Sequence, residues 1–196
     1  QQSFSPSIIK KAKTLTQNAL KPFGYYLPTI DVKAEDDGGQ VRLVVNVDAK
    51  TVTQISQLDI QVFGDAARQK EINEQIAKLN LAVGQALNHS AYEKAKSQIS
   101  SVLFDYGYFD TKWLKHTIEV RRGTYSAVIR LHVDSGIRYK FGPVVRDKEI
   151  KAYELVHRLN PMVVGNPYDN NTVTDFNIQL SNMPYFKSVR VYPDII

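Results

Sequence analysis

His89, His116, His132 and His157 are the residues of this chain best suited to metal ligation or proton transfer, and only one has a carboxylate at a useful spacing. Glu154-Leu155-Val156-His157 places a carboxylate and an imidazole one helical turn apart. A di-metal bundle draws further carboxylates from facing helices; no second pair of this kind occurs, so His157 reads as a helix-end residue favoured by the dipole. His116 and His132 fall in alternating segments, where a hydrogen-bonded strand histidine is the simpler reading. Asp36-Asp37-Gly38-Gly39 is acidic but lacks the alternating oxygen ligands of a calcium loop, and it suits a hairpin turn. The chain has no cysteine, which closes thiol catalysis, disulfides and thiolate metal sites. No phosphate loop, dinucleotide fingerprint or nucleophile elbow occurs. The residues predict no catalytic group, no cofactor and no metal site.

Binding is the remaining chemistry. With 43% hydrophobic and 23% charged residues the chain is expected to be soluble and folded, and its net charge of +5 favours acidic partners. Lys10, Lys11, Lys13 and Lys21 precede the first acidic residue, Asp31, and Arg138, Lys140, Arg146, Lys148 and Lys151 form a second basic cluster. Solvated helix and strand faces are the simpler reading of such charges. Basic repeats with many tyrosines could also stack bases, which makes a nucleic-acid-binding module the alternative function. Against it, the aromatics sit at helix ends and on the apolar phase of strands, and no KH-type Gly-x-x-Gly loop or RRM-type aromatic motif is present. No run reaches the roughly 18 apolar residues of a membrane helix, and Gln1-Gln2-Ser3-Phe4-Ser5 has no signal-peptide character.

The elements that would position a binding surface are set by punctuation that occurs three times. Gly24-Tyr25-Tyr26, Gly107-Tyr108-Phe109 and Pro184-Tyr185-Phe186 each follow a helix-like stretch and precede an alternating one. In the first two, glycine takes the left-handed position that closes a helix, and proline stops the third helix instead. Spacing of about eighty residues implies tandem small domains.

Ser5-Pro6 starts a helix with Ile8, Ala12, Leu15 and Ala19 on one face, and Ile30 to Val47 form a hairpin turned at Asp36-Asp37-Gly38-Gly39. The middle segment runs strand, helix, helix, strand, strand. Leu58, Ile60 and Val62 open it; Ile72, Ile76 and Leu79 stripe one helix; Tyr92, Ala95, Ile99, Val102, Leu103 and Tyr106 stripe the next, behind a capping box at Ser90-Ala91-Tyr92-Glu93. Leu114, His116, Ile118 and Val120 alternate, Arg121-Arg122-Gly123-Thr124 turns the chain, and Tyr125, Ala127, Ile129, Leu131 and Val133 alternate back. The third segment repeats the order: a strand at Tyr139 and Phe141, a helix capped by Asp147 with Ile150, Tyr153, Val156 and Leu159, a second helix with Val173, Phe176, Leu180 and Met183, and a strand from Tyr185 to Tyr192. Expected domains are residues 1–50, short of an opening strand and helix, 51–137, complete, and 138–196, ending before a last strand. The fold class is α+β, each complete domain a three-stranded mixed sheet with two helices on one face.

Gly24-Tyr25-Tyr26-Leu27-Pro28-Thr29-Ile30, the stretch from Val83-Gly84 through Tyr92-Glu93 to Gly107-Tyr108-Phe109-Asp110, and Ser135-Gly136-Ile137-Arg138-Tyr139-Lys140-Phe141-Gly142-Pro143 resemble the periplasmic region of the BamA/TamA family of outer-membrane proteins. That resemblance covers nearly the whole chain and implies tandem POTRA domains. It further implies a periplasmic scaffold tethered to the outer membrane through a carboxy-terminal barrel outside this chain. The implied partners are a TamB-like inner-membrane-anchored protein and client outer-membrane proteins or autotransporters, with docking rather than bond breaking as the chemistry and no nucleic acid.

A three-stranded sheet has two edges, and an edge can accept a strand from another chain. The expected docking strand runs from Trp113 to Val120, with Trp113, Lys115, Thr117 and Glu119 on the phase opposite its apolar residues. Because domains below about 40–60 residues are marginal, residues 51–137 should melt cooperatively in isolation and residues 1–50 should not. Circular dichroism of the two fragments checks this; a cooperative melt from residues 1–50 refutes it.

Overall fold

The computed structural model describes residues 6–38, 40–146 and 152–195. Helix α1 (Pro6–Leu20) leads through a 3-10 turn to the hairpin β1 (Thr29–Asp37) and β2 (Gln40–Asp48). Strand β3 (Gln54–Phe63), α2 (Lys70–Ile76), α3 (His89–Asp105), β4 (Lys112–Arg121) and β5 (Ser126–Asp134) follow, then α4 (Tyr153–Leu159) and α5 (Asn170–Ser181). The β1/β2 pair is antiparallel, with Asp37 opposite Gln40, and β3, β4 and β5 form a second sheet in the order β3-β5-β4. The fold is α+β.

Chain packing divides into two compact units, residues 1–60, 80–96 and 115–131 in the first and residues 61–79, 97–114 and 132–196 in the second. Ile55, Leu87, Tyr92, Ala95, Ala127, Ile129 and Leu131 are buried in the first. In the second, Ala66, Ile72, Ile99, Leu103, Tyr108 and Val133 are buried, and Val156, Met162, Tyr168, Val173, Phe176 and Leu180 form a cluster against which Phe109, Phe141, Met183 and Phe186 pack. Strand β5 is the central strand, and Ala127, Ile129, Leu131 and Val133 on its inner phase are fully enclosed, as is Val128 on the other phase.

Several expectations are corrected. Tyr139 and Phe141 start no strand: the neighbouring Lys140 makes only an isolated bridge to Pro167, and no described strand lies beside this segment as β5 lies beside β3. Residues 185–192 form no strand: the Val191 amide donates to Asn177 Oδ1 of α5, 2.8 Å away, in place of a sheet partner. Helix α1 has no buried residue, and Ile8 and Leu15 are exposed; the half-buried side is Ile9, Ala12, Thr16 and Leu20, one residue round from the expected stripe. Ser90 does not cap α3. Asn88 does, its Oδ1 accepting the amides of Ser90 at 2.8 Å and Ala91 at 3.2 Å, so the helix begins earlier than the Ser-x-x-Glu pattern implies. Ser5, Gly39, Asp147, Lys148, Ile150 and Lys151 lie outside the described residues.

Candidate docking edge and glycine joints

Strand β4 stands at the edge of its sheet. Trp113, Lys115 and Thr117 are half-buried and Glu119 is exposed, while Leu114, expected on the inner phase, is 59% exposed and His116 is exposed too. Over residues 113–117 the half-buried phase is thus the one expected to face outward, a correction of the sequence reading, and of the expected inner phase only Ile118 and Val120 are half-buried. Glu119 pairs with Arg130 on β5 at 2.5 Å, and the hydrogen bond from that guanidinium, with its charge, holds the carboxyl below its ordinary range. The Arg130 side chain is mostly covered and that of Glu119 half exposed, and the pair fixes the carboxylate beside the edge. Thr117 Oγ1 is buried with no hydrogen-bond partner.

The punctuation glycines do more than close helices. In the first unit Gly24 is left-handed, φ 89°, and its carbonyl accepts the Thr53 amide at 2.9 Å. The Leu87 amide donates to Thr53 O, the Ile55 amide to Gln85 O and the Gly84 amide to Ile55 O, each at 2.8 Å. Gly107 repeats the arrangement inside the second unit. Its φ is 84°; Tyr139 N donates to Gly107 O at 2.9 Å, Tyr168 N to Tyr139 O at 2.9 Å, Phe141 N to Asn166 O at 2.8 Å and Gly165 N to Phe141 O at 2.8 Å. The same four backbone bonds therefore tie each helix-ending glycine to the segment that opens the next repeat. A Cβ on Gly24 would stand 2.7 Å from Leu87 O, and one on Gly107 would stand 2.7 Å from the Tyr168 Cβ, so close approach and left-handed φ both demand glycine.

Side chains distinguish the two joints. At the first, the Tyr26 hydroxyl lies 2.7 Å from His89 Nε2, Tyr25 is half-buried, and burial pushes the Tyr26 phenol up while Arg122 opposes it. At the second, Arg138 donates from Nε to Tyr106 O at 2.8 Å and from a terminal nitrogen to Tyr168 O at 2.9 Å, with its guanidinium over the Tyr106 ring. The Tyr139 hydroxyl donates to Asp110 Oδ2 at 2.9 Å, which raises its pKa, and Asn170 Nδ2 donates to Asp105 Oδ1 at 2.9 Å. Phe109 lies edge-on to Phe104, Tyr139 and Tyr168, and Tyr108 is 1% exposed. Burial raises the phenol pKa of Tyr92, Tyr108 and Tyr168. Rings enclosed in this way are not open for stacking on bases.

Arg138, Thr53, Leu87 and Tyr168 are the joint residues that sequence reading did not assign. A signal was available in the paired stretches Val83-Gly84-Gln85-Ala86-Leu87-Asn88 and Val164-Gly165-Asn166-Pro167-Tyr168-Asp169, which share Val-Gly and a carboxylate or amide N-cap at the same spacing. Glu154 and His157 are exposed on α4, with His157 against the Tyr153 ring, and no cluster of metal-ligating residues occurs among the described residues. No described helix is long and apolar enough to cross a membrane.

Residues 2–49 match the family described as POTRA domain TamA domain 1. The fold is similar to that of Haemophilus influenzae BamA POTRA3-5, at 17% identity and a TM-score of 0.55, with 97% of this chain and 75% of that chain covered. POTRA1-3 of the periplasmic domain of Omp85 from Anabaena aligns at 16% identity and a TM-score of 0.39, over 87% of this chain and 70% of that chain.

Gly107→Val should lower stability by roughly 1–3 kcal/mol for its backbone conformation, and more for the collision with Tyr168. Gly165→Val, also left-handed but with nothing within 4 Å of its Cβ position, should show the first cost without the second. Urea midpoints of the two variants check this, equal shifts telling against the close approach. The raised tyrosines predict a pH dependence as well. Their neutral form is favoured in the folded state, so the stability they contribute is fully present below about pH 10, the unfolded value, and is lost as pH rises through the folded values. Urea midpoints should be level from neutral pH to about 9 and fall above 10.

Proposed function

We propose that this chain is a periplasmic scaffold of an outer-membrane protein assembly or translocation factor of the BamA/TamA family, built from tandem POTRA domains. Its domains are assigned to residues 1–50, 51–137 and 138–196. It docks unfolded outer-membrane proteins or autotransporters and a TamB-like inner-membrane-anchored protein, and its tether to the outer membrane is a barrel outside this chain. No bond is made or broken. The family match over residues 2–49 and the POTRA-type fold support the reading, and the observation that carries the mechanism is the edge position of β4.

Main-chain pairing at an edge is indifferent to the side chains of the incoming strand, which suits a module serving several clients. Trp113, Lys115, Thr117 and Glu119 would flank the incoming strand. Lys115 and the Glu119–Arg130 pair also guard the edge against unselective pairing, as charged edge residues do. Selectivity then comes from strands able to satisfy that charge pattern.

Proline scanning across residues 115–119, restricted to variants that keep the native melt, should reduce capture of an extended barrel-strand peptide at alternate positions, because only every second amide faces outward. Thr117→Pro or its neighbours at His116 and Ile118 should report which phase that is. Full binding by every folded proline variant overturns strand pairing at β4.

A further inference from the structure

Strand β4 carries its charges in a fixed order beside its open edge. Lys115, Thr117, Glu119 and Arg121 alternate along it, and alternate residues of a strand share a face. The hydrogen bond from Arg130 is the main cause that holds the Glu119 carboxyl below its ordinary range, and the charges of Lys115 and Arg121 add to it, so all three charges of the row stand on one side of the strand. They are not equivalent. Glu119 is matched already, its carboxylate taken by the Arg130 guanidinium on β5. No carboxylate lies within ion-pair distance of Lys115 or Arg121 among the described residues. The row therefore reads unpaired cation, neutral residue, satisfied anion, unpaired cation.

From this row we propose that Lys115 and Arg121 select the strand that β4 accepts: an extended polypeptide with carboxylates six positions apart on one face and no charge at the two same-face positions between them. The inference rests on the docking proposed at β4 and adds the chemistry of the docked strand. When a strand pairs with an edge, its side chains stand directly opposite those of the edge strand, and opposite charges there favour pairing while like charges oppose it. Six residues of extended chain separate Lys115 from Arg121 by about 20 Å, more than the screening length of about 8 Å at physiological salt. Each cation therefore acts on the residue beside it and not on the partner's net charge. Between them, an acid opposite Glu119 would meet a carboxylate, and a base there would compete with Arg130. Carboxylates at both ends read the same in either direction, so the pattern serves a parallel or an antiparallel strand. A nucleic-acid strand fits the row poorly. It would set a continuous line of phosphates against Glu119, and it has no peptide groups to pair with the edge.

The test measures, by fluorescence anisotropy, binding of labelled barrel-strand peptides of about ten residues to the whole 196-residue chain. One peptide carries Glu at two positions six apart, a second carries Lys at the same two positions, and a third keeps the net charge of the first with its Glu residues four apart. At about 0.15 M salt the first should bind at least about fivefold more tightly than the second and about twofold more tightly than the third, and the differences should shrink at about 1 M. The double variant Lys115→Glu with Arg121→Glu should prefer the Lys peptide. If that variant loses its native melt, the peptide comparison on the parent chain decides alone. Three equal affinities, each lowered by a folded proline variant of β4, overturn the charge selection and leave edge docking standing. Absence of binding by every peptide, or binding that survives every folded proline variant, overturns both. Displacement of the first peptide by single-stranded RNA at the same salt assigns the row to nucleic acid and overturns the proposal too.

Discussion

The constraint on which the structure depends is the carbonyl of a left-handed glycine. A helix that ended on a residue with a Cβ at Gly24 or Gly107 would lose the cap, and could not bring its last carbonyl within 2.9 Å of an amide in the following segment. Because that amide belongs to the residue whose own carbonyl receives Leu87 or Tyr168, one conformational choice at glycine sets a helix end, a strand start and the entry to the next long helix together. Leu87 O and the Tyr168 side chain occupy the space the absent Cβ leaves, and the aromatic residues behind each glycine add a further contact, Tyr26 through its hydroxyl to His89 and Phe109 through its ring to Tyr168.

The joints and the edge of β4 differ in how their backbone groups are used. The joints use backbone groups that are already paired, whereas β4, as an edge strand, has one row of its groups facing outward with Glu119 held beside it by Arg130. Under the docking proposed at β4, an incoming strand would add to the edge without competing for the bonds of the joints.

Much of the fold was legible in the chain because local rules and tertiary packing agree there. The inner phase of β5, the stripe from Tyr92 to Leu103 and the two glycine caps are readable for that reason. The edge position of β4 also followed, since the order of elements leaves few sheet arrangements. Legibility failed where an alternating pattern served another end. Tyr139 and Phe141 alternate as strand residues do, yet their amides pair with Gly107 and Asn166 at a joint. Helix α1 carries more apolar residues than its hairpin can cover, so the stripe chosen from sequence was rotated from the one that packs. Asn88 outranked Ser90 as a cap because its side chain reaches two orphan amides, which no four-residue pattern reveals. Arg138 was seen as part of a basic cluster; that its guanidinium joins two carbonyls distant in sequence required coordinates.

The two joints share four backbone bonds and almost no side-chain chemistry, a histidine–tyrosine pair closing one and an arginine with an aromatic cluster closing the other. Connectors of that kind are interchangeable parts. A duplicated repeat would carry both halves of the fitting, a left-handed glycine at its end and an amide–carbonyl pair at its start, and could be spliced beside any neighbour before a single side chain had adapted. Lengthening or shortening the array by whole repeats would then leave the backbone fitting at each joint intact.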